Sequence, residues 1–122
     1  MNKYEKLFNE IVQKTHDNEI DWRQTSKSAH SDLIFNSDMV YRQYSGEFTK
    51  GDEVYEVVFV EKKTDDPNLD FAYQRYMPEL LVIDSRNELL VTLTDSVIEK
   101  TDLIELVNEI EGRNDRIKKL FL

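Results

Sequence analysis

Two histidines, His16 and His30, are the first residues to examine for chemistry, because an imidazole can bind a metal or act as a general base. They fall on different predicted elements, and neither has a second histidine at the spacing of an HxH or HxxxH motif. The segment TSKSAHSD places three serines beside His30, but neighbours in sequence do not form a catalytic triad in space. We therefore interpret both histidines as ordinary surface or loop residues and predict no metal site from them.

A second candidate for chemistry is the acidic segment DDPNLD at residues 65–70. Asp65, Asp66 and Asp70 offer oxygen ligands that a hard cation prefers. The segment lacks the glycine and the terminal glutamate of an EF-hand loop, so a solvated acidic turn is the favoured interpretation. The alternative is a small metal-dependent hydrolase that uses this loop.

Motifs for nucleotide binding and covalent catalysis are absent from the sequence. The three glycines, Gly46, Gly51 and Gly112, are scattered, so no glycine-rich loop is available to cradle a phosphate. No GxSxG segment marks a nucleophile, and among 25 acidic residues many carboxylate pairs arise by chance. The sequence therefore predicts a protein that is not an enzyme and has no cofactor.

Charge gives a stronger signal than any of these motifs. The chain has 25 acidic and 16 basic residues, with a formal net charge of −9. Such a charge repels a phosphate backbone, so direct binding to nucleic acid is disfavoured. One basic cluster, RNDRIKK at 113–119, follows a predicted helix, where cations complement the helix dipole.

Acidic side chains dominate residues 95–111, where Lys100 is the only basic residue. Asp102, Glu105 and Glu109 recur at spacings of three and four, which places them on one face of a helix. The simple interpretation is a solvated outer face. The functional hypothesis is a negative surface that docks on a protein partner with a basic surface.

Tyrosines are the second group of candidate binding residues, and Tyr41 and Tyr44 both fall in a predicted strand. Aromatic side chains on a sheet can stack on nucleobases, but such sheets carry basic surroundings and this chain is acidic. One interpretation is that the rings pack under the helices. The other is that an exposed subset recognises a protein, with Tyr41 and Tyr44 as the candidates.

Length and composition indicate one soluble globular domain that spans residues 1–122. The chain has no cysteine, so neither a disulfide framework nor a thiolate metal site can form. Its apolar runs are too short to span a membrane, and the first ten residues, MNKYEKLFNE, lack the apolar region of a signal peptide. We therefore predict a cytoplasmic protein without membrane contact.

The N-terminal residues predict a helix that begins after Asn2 and stops at Asn18. Asn2 is placed to cap it, and Glu5 follows three residues later as in a capping box. The apolar face predicted for this helix contains Tyr4, Leu7, Phe8, Ile11 and Thr15. The next segment, EIDWRQ, alternates in polarity, which predicts that Trp22 is buried between the helix and a sheet.

Strands are predicted between residues 39 and 93. The segment EVYEVVFVEKK is apolar on both faces, which indicates a central strand. Gly46 predicts a bulge or a close approach, Gly51 a turn, and Asn87 a left-handed turn residue between two apolar runs. Pro78 cannot donate to a ladder, so its strand should lie at an edge or pair only beyond Pro78.

A second helix is predicted after Thr101, which is placed to cap it. Its apolar stripe contains Leu103, Leu106, Val107, Ile110, Ile117 and Phe121. Gly112 interrupts the stripe, so the helix either continues through it or breaks there, with Asn114 as a new cap. The element order predicts an α+β fold in which a mostly antiparallel sheet of four to five strands carries both helices on one face.

Charge and recognition residues without a catalytic constellation predict a non-catalytic protein-binding factor. An accessory or inhibitory protein of bacterial, phage or mobile-element type fits this description. A narrower hypothesis is an acidic mimic of nucleic acid that blocks a nucleic-acid-binding protein. The sequence makes no prediction of the oligomeric state.

Overall fold

The computed structural model describes residues 2–26, 33–34, 40–65, 74–113 and 119–121. Within these ranges the helix α1 spans Lys3–His16 and the helix α2 spans Lys100–Gly112. Between them lie the strands β1 (Arg23–Gln24), β2 (Val40–Lys50), β3 (Glu53–Asp65), β4 (Gln74–Ile83) and β5 (Leu89–Leu93). They form one antiparallel sheet in the order β1-β2-β3-β4-β5. Lys119–Phe121 form a short 3-10 turn. The two helices and the antiparallel sheet confirm the predicted α+β class.

The N-terminus of α1 is closed by a variant of the predicted capping box. The Asn2 Oδ1 atom accepts from the Glu5 backbone N–H, and the Asn2 side-chain amide donates to the Glu5 carboxylate, both at 2.9 Å. Beyond the other end of α1, Asn18 has a φ of 60°, which is the left-handed conformation that asparagine tolerates and that ends helices.

Trp22 is buried in the core under α1, as predicted. Its indole Nε1–H donates to the Thr15 hydroxyl at 3.0 Å, and that hydroxyl donates to the Ile11 carbonyl at 2.8 Å. The polar atom of the indole is therefore satisfied inside the core, which removes the penalty for burying it. This chain of two bonds ties the segment before β1 to the underside of α1.

Gly46 of β2 lies at a close approach between the sheet and that segment. A Cβ atom at this position would lie 2.7 Å from the Ile20 Cγ2 atom and 3.1 Å from the Asp21 carbonyl oxygen. The close approach predicted for Gly46 is confirmed, whereas its pairing with Val57 is regular. The irregularity in β2 lies instead between Val40 and Arg42.

β3 is the central strand of the sheet, as its two apolar faces predict. Val57 and Phe59 face both helices and join a core with Phe8 of α1 and Leu106 of α2. Both helices therefore pack on one face, as predicted. The opposite face carries a smaller buried cluster of Ile34, Val40, Val58, Val60, Leu81 and Ile83.

The position of β4 corrects the prediction made from Pro78. β4 lies between β3 and β5 and pairs with β3 on both sides of Pro78, which is opposite Glu61. β5 pairs with β4 only from Leu80 onward. Proline has no backbone N–H to donate. Because β5 does not pair with β4 at Pro78, no hydrogen bond between these two strands is lost there.

The hairpin between β4 and β5 is formed by a tight polar turn. The Asp84 Oδ1 atom accepts from the backbone N–H groups of Arg86 and Glu88, both at 2.9 Å. Asn87 has a φ of 65°, and its backbone N–H donates to the Asp84 carbonyl at 3.0 Å. The predicted hairpin and its left-handed residue are confirmed.

The start of α2 differs from the prediction. Glu99 occupies the N-cap position and no side chain caps the first turn, so Thr101 lies inside the helix and does not cap it. The helix is held by its apolar stripe instead of by a cap. The buried residues of this stripe are Leu103, Leu106, Val107 and Ile110.

Of the two alternatives predicted at Gly112, the continuous helix is excluded. The helix ends at Gly112, and Arg113 takes the C-cap position, which suits a cation at the negative end of the dipole. The apolar stripe does not extend to Phe121, because its side chain is exposed. Asn114 and Ile117 lie outside the described residues.

Replacing Trp22 by alanine should lower the free energy of unfolding by about 3–5 kcal/mol, because it leaves a cavity and takes the donor from Thr15. Equilibrium denaturation measures this change. Arg23→Ala, at the exposed neighbouring position, is the control and should change the free energy by less than about 1 kcal/mol. Equal stability of the two variants would contradict the packing described for Trp22.

Asn87→Gly should be tolerated, whereas Asn87→Val should destabilise the chain by about 1–3 kcal/mol, because a β-branched residue strains a positive φ. The comparison of thermal unfolding for the two variants measures the difference. If both variants unfold at the same temperature, the turn conformation of Asn87 is not required by the hairpin.

Candidate functional site

Two adjoining recesses lie between α1 and α2, with volumes of about 330 and 380 Å³. Both are lined by Phe8, Asn9 and Asp102, so we describe them together as the α1/α2 groove. The segment between β5 and α2 closes one side of the first recess. The second recess reaches His16 at the end of α1.

The walls of the α1/α2 groove are acidic. Six carboxylates line it: Glu5, Asp95, Glu99, Asp102, Glu105 and Glu109. Among the described residues that line the groove, only His16 can carry a positive charge. Charges of one sign along a cleft reinforce one another and attract ligands of the opposite sign.

Side chains of the apolar core form the floor of the second recess. Phe8 and Leu106 line it from the core, and Val12 of α1 is half-buried beside them. On α1, Glu5, Phe8 and Val12 follow one another at spacings of three and four residues, so they share the face of the helix that lines the groove. The groove therefore combines an apolar floor with a negative rim.

The structure brings two of the predicted site residues together as exposed acids. Asp102 and Glu105 are both exposed and line the groove one helical turn apart. Neither forms an ion pair with another residue of the described ranges. Their charges are therefore directed at solvent or at whatever enters the groove.

Glu109 has a different environment from Asp102 and Glu105. Its Oε1 atom lies 2.6 Å from His16 Nδ1 and 3.1 Å from Arg113 Nη2. Arg113 also donates to the Asn18 side chain and to the His16 carbonyl. Glu109 thus fastens the end of α1 to the end of α2, and its charge is already partnered.

The two predicted tyrosines do not form a common surface. Tyr44 is 1% exposed and belongs to the core under the helices, which corrects its prediction as a binding residue. Tyr41 is 47% exposed. The Arg42 guanidinium and the Lys63 ammonium lie 5.7 and 5.9 Å from the centre of its ring, within the range of cation–π attraction.

A buried charge network connects the sheet to α2, and no pattern in the sequence predicts it. Arg42 Nε donates to Glu61 Oε1 at 2.8 Å, and its Nη1 donates to Glu111. A third contact joins Arg42 Nη2 to Asn108 Oδ1 at 3.3 Å. The Glu61 side chain is only 3% exposed, so its charge depends on Arg42 for compensation.

The protonation states in this network follow from burial and from the neighbouring charges. Burial alone would lower the pKa of the Arg42 guanidinium, but the hydrogen bond and charge of Glu61, with the charge of Glu111, outweigh it and raise the pKa. For the Tyr44 phenol, by contrast, burial raises the pKa, and the negative charge of Glu111 raises it further. Arg42 therefore remains cationic and Tyr44 remains neutral at physiological pH.

The next residue of β3 forms a second buried ion pair on the opposite face of the sheet. Lys62 is buried, and its Nζ atom lies 3.4 Å from Glu79 Oε2. Neighbouring residues of a strand point to opposite faces, so β3 presents Glu61 to the helices and Lys62 to the other side.

The metal-site hypothesis for residues 65–70 falls almost wholly on residues that the structure does not describe. Asp66 and Asp70 lie outside the described ranges, and Asp65 is the last residue of β3. Within the described part of the chain, no group of three or more His, Asp and Glu residues is arranged to hold a metal ion.

Comparison of the chain with protein-family models, with curated proteins and with solved structures found no match. Neither α1 nor α2, nor any other helix in the described ranges, combines the length and hydrophobicity that a transmembrane helix requires.

Arg42→Leu should lower the free energy of unfolding by about 3–5 kcal/mol, because it leaves the Glu61 carboxylate buried without a partner. The double variant Arg42→Leu with Glu61→Leu removes both charges and should recover much of that loss. Urea denaturation of the single and double variants measures this difference. A double variant that is as unstable as Arg42→Leu would show that packing, and not charge compensation, is what Arg42 supplies.

Proposed function

We propose that this protein is a non-catalytic protein-binding factor that docks its α1/α2 groove on a partner with a basic surface. The observation that carries the proposal is the set of six carboxylates around an apolar floor. A partner that inserts apolar side chains and surrounds them with lysine or arginine would complement both features.

Asp102 and Glu105 are the residues on which we expect the interaction to depend most. Both are exposed in the groove, so a partner's cation can approach them without breaking an existing contact. Glu109 already binds His16 and Arg113, so we assign it to the structure of the groove. Tyr41 is retained as a secondary candidate on the sheet because it is exposed.

The charge of the groove supports fast, salt-dependent association. Opposite charges steer two proteins into contact and raise the association rate, whereas salt screens charges beyond about 8–10 Å. Such an interaction suits an accessory or inhibitory factor that acts by occupying a surface of its partner. We also propose a cytoplasmic location, which the absence of cysteine supports.

A narrower form of the proposal is that the blocked surface is one that otherwise holds nucleic acid. The row of carboxylates in the groove favours it, because carboxylates can take the place of phosphates on a basic surface. Nucleic acid should then compete with the protein for the partner. Binding that nucleic acid leaves unchanged would retain the general proposal and remove this narrower form.

Reversal of charge in the groove tests the proposal. Asp102→Lys with Glu105→Lys should weaken binding to the basic partner by about tenfold or more, since two attractive contacts become repulsive. The partner is first isolated from the native cell with the wild-type protein as bait. The rates are then measured with purified components at several salt concentrations, and most of the loss should lie in the association rate.

The matched control is Asp52→Lys with Glu88→Lys, which makes the same change in net charge at two exposed turn positions of the sheet. This control should retain most of the wild-type affinity. Equal weakening by both double variants would show that net charge, and not the groove, governs binding. A groove variant that binds like wild type would refute the proposal.

A further inference from the structure

Charge is distributed very unevenly along the chain. Residues 113–122, RNDRIKKLFL, contain four of the 16 basic residues and one of the 25 acidic residues. Their formal charge is +3, and the remaining residues, with 12 basic and 24 acidic side chains, carry −12. The chain therefore contains a basic segment, residues 113–122, beside an acidic body.

The basic segment also presents apolar side chains to water. Leu120 is 77% exposed and Phe121 is 84% exposed, the highest values among large hydrophobic residues of the described ranges. They follow Lys118 and Lys119 directly in the sequence. An exposed apolar pair next to cations is typical of a surface that binds another protein.

This chemistry complements the α1/α2 groove. The groove offers an apolar floor and six lining carboxylates, and the segment offers a leucine and a phenylalanine beside lysines. Burying both side chains removes apolar surface from water, and the lysines meet opposite charge. We propose that the basic segment of a second copy of this chain docks in the groove, an inference that rests on the groove of the proposed function.

The position of Arg113 favours a reciprocal arrangement of two copies. Arg113 contacts His16 and Glu109, and both of these residues line one end of the groove. The basic segment therefore starts beside a groove end. In the proposed dimer, a two-fold axis near this end places the segment of each copy in the groove of the other. Both grooves are then filled and the assembly closes as a dimer.

The lengths are compatible with this arrangement. From Glu99 to Glu109 the groove follows α2 for about 15 Å, at 1.5 Å per helical residue. The nine residues after Arg113 can span up to about 30 Å when extended. In the described part of its own chain, the segment leaves Leu120 and Phe121 exposed, so these side chains are available to a second copy.

The contact is small, which sets the concentrations needed to see it. Interfaces that bury less than about 1,200 Å² are weak and transient. Sedimentation of the chain of residues 1–122, from about 10 µM to 1 mM, should show a reversible monomer–dimer equilibrium in the range expected for such interfaces. The dimer should dissociate as salt is added, because the contact includes charge pairs.

Leu120→Ser with Phe121→Ser should raise the dissociation constant of the dimer by about tenfold or more, because it removes the apolar part of the contact. The control is Leu89→Ser with Leu90→Ser, which changes two other exposed leucines and should leave the dimer intact. Asp102→Lys with Glu105→Lys should also abolish self-association. A mixture of the segment variant and the groove variant should form a mixed dimer, since one intact groove then meets one intact segment.

A wild-type chain that stays monomeric up to about 1 mM, the dissociation constant of a weak contact, would overturn the inference. A segment variant that dimerises like wild type would overturn it as well. A segment that docks in the groove of its own chain would also leave the protein monomeric, and this result would overturn the inference in the same way. If the monomeric protein still binds a basic partner through the groove, only this inference fails. If the chain dimerises but groove reversal leaves partner binding unchanged, the proposed function fails instead.

Discussion

The guanidinium of Arg42 is held between the sheet and α2, and the placement of that helix depends on how its charge is balanced. Glu61 of β3 and Glu111 of α2 both bind it, so the helix supplies one of the two counter-charges. A charge at this depth is tolerated only when its partners are in place, and this requirement fixes α2 over β2 and β3. The apolar stripe of α2 determines which face of the helix packs on the sheet, and the ion pair of Glu111 with Arg42 adds a directional contact. Because Asp102 and Glu105 belong to the same helix, the acidic wall of the groove is placed by this buried network.

The opposite wall depends on the contacts of α1. Trp22 and Thr15 tie the segment before β1 to the helix, and Gly46 allows that segment to approach β2 closely. At the far end, Glu109 joins α1 to α2 through His16 and Arg113. Acidic residues therefore have two roles in this protein. Those that bind a cation within the chain build the groove, and those that remain exposed along it give the groove its negative charge.

Local rules explain which parts of this structure the sequence could predict. The conformation of Asn87 is predictable because a left-handed turn residue depends on its immediate neighbours. The central position of β3 is predictable because both of its faces are apolar. The charge network escaped prediction because Arg42 and Glu111 are 69 residues apart, and no local pattern joins them. For the same reason Glu109 could not be distinguished from Asp102 and Glu105. The assignment of Tyr44 to the surface with Tyr41 was avoidable, since residues three apart in a strand point to opposite faces.

The proposed docking surface of this protein is the α1/α2 groove. Amide chemical-shift mapping tests it most directly, with a synthetic amphipathic peptide that has lysines on one face and leucines on the other. We expect the shifts to cluster on α1 and on residues 95–109, to diminish as salt is added and to vanish in the Asp102→Lys, Glu105→Lys variant. Shifts that cluster around Tyr41 and Lys63 on the sheet, with α1 and α2 unaffected, would contradict it.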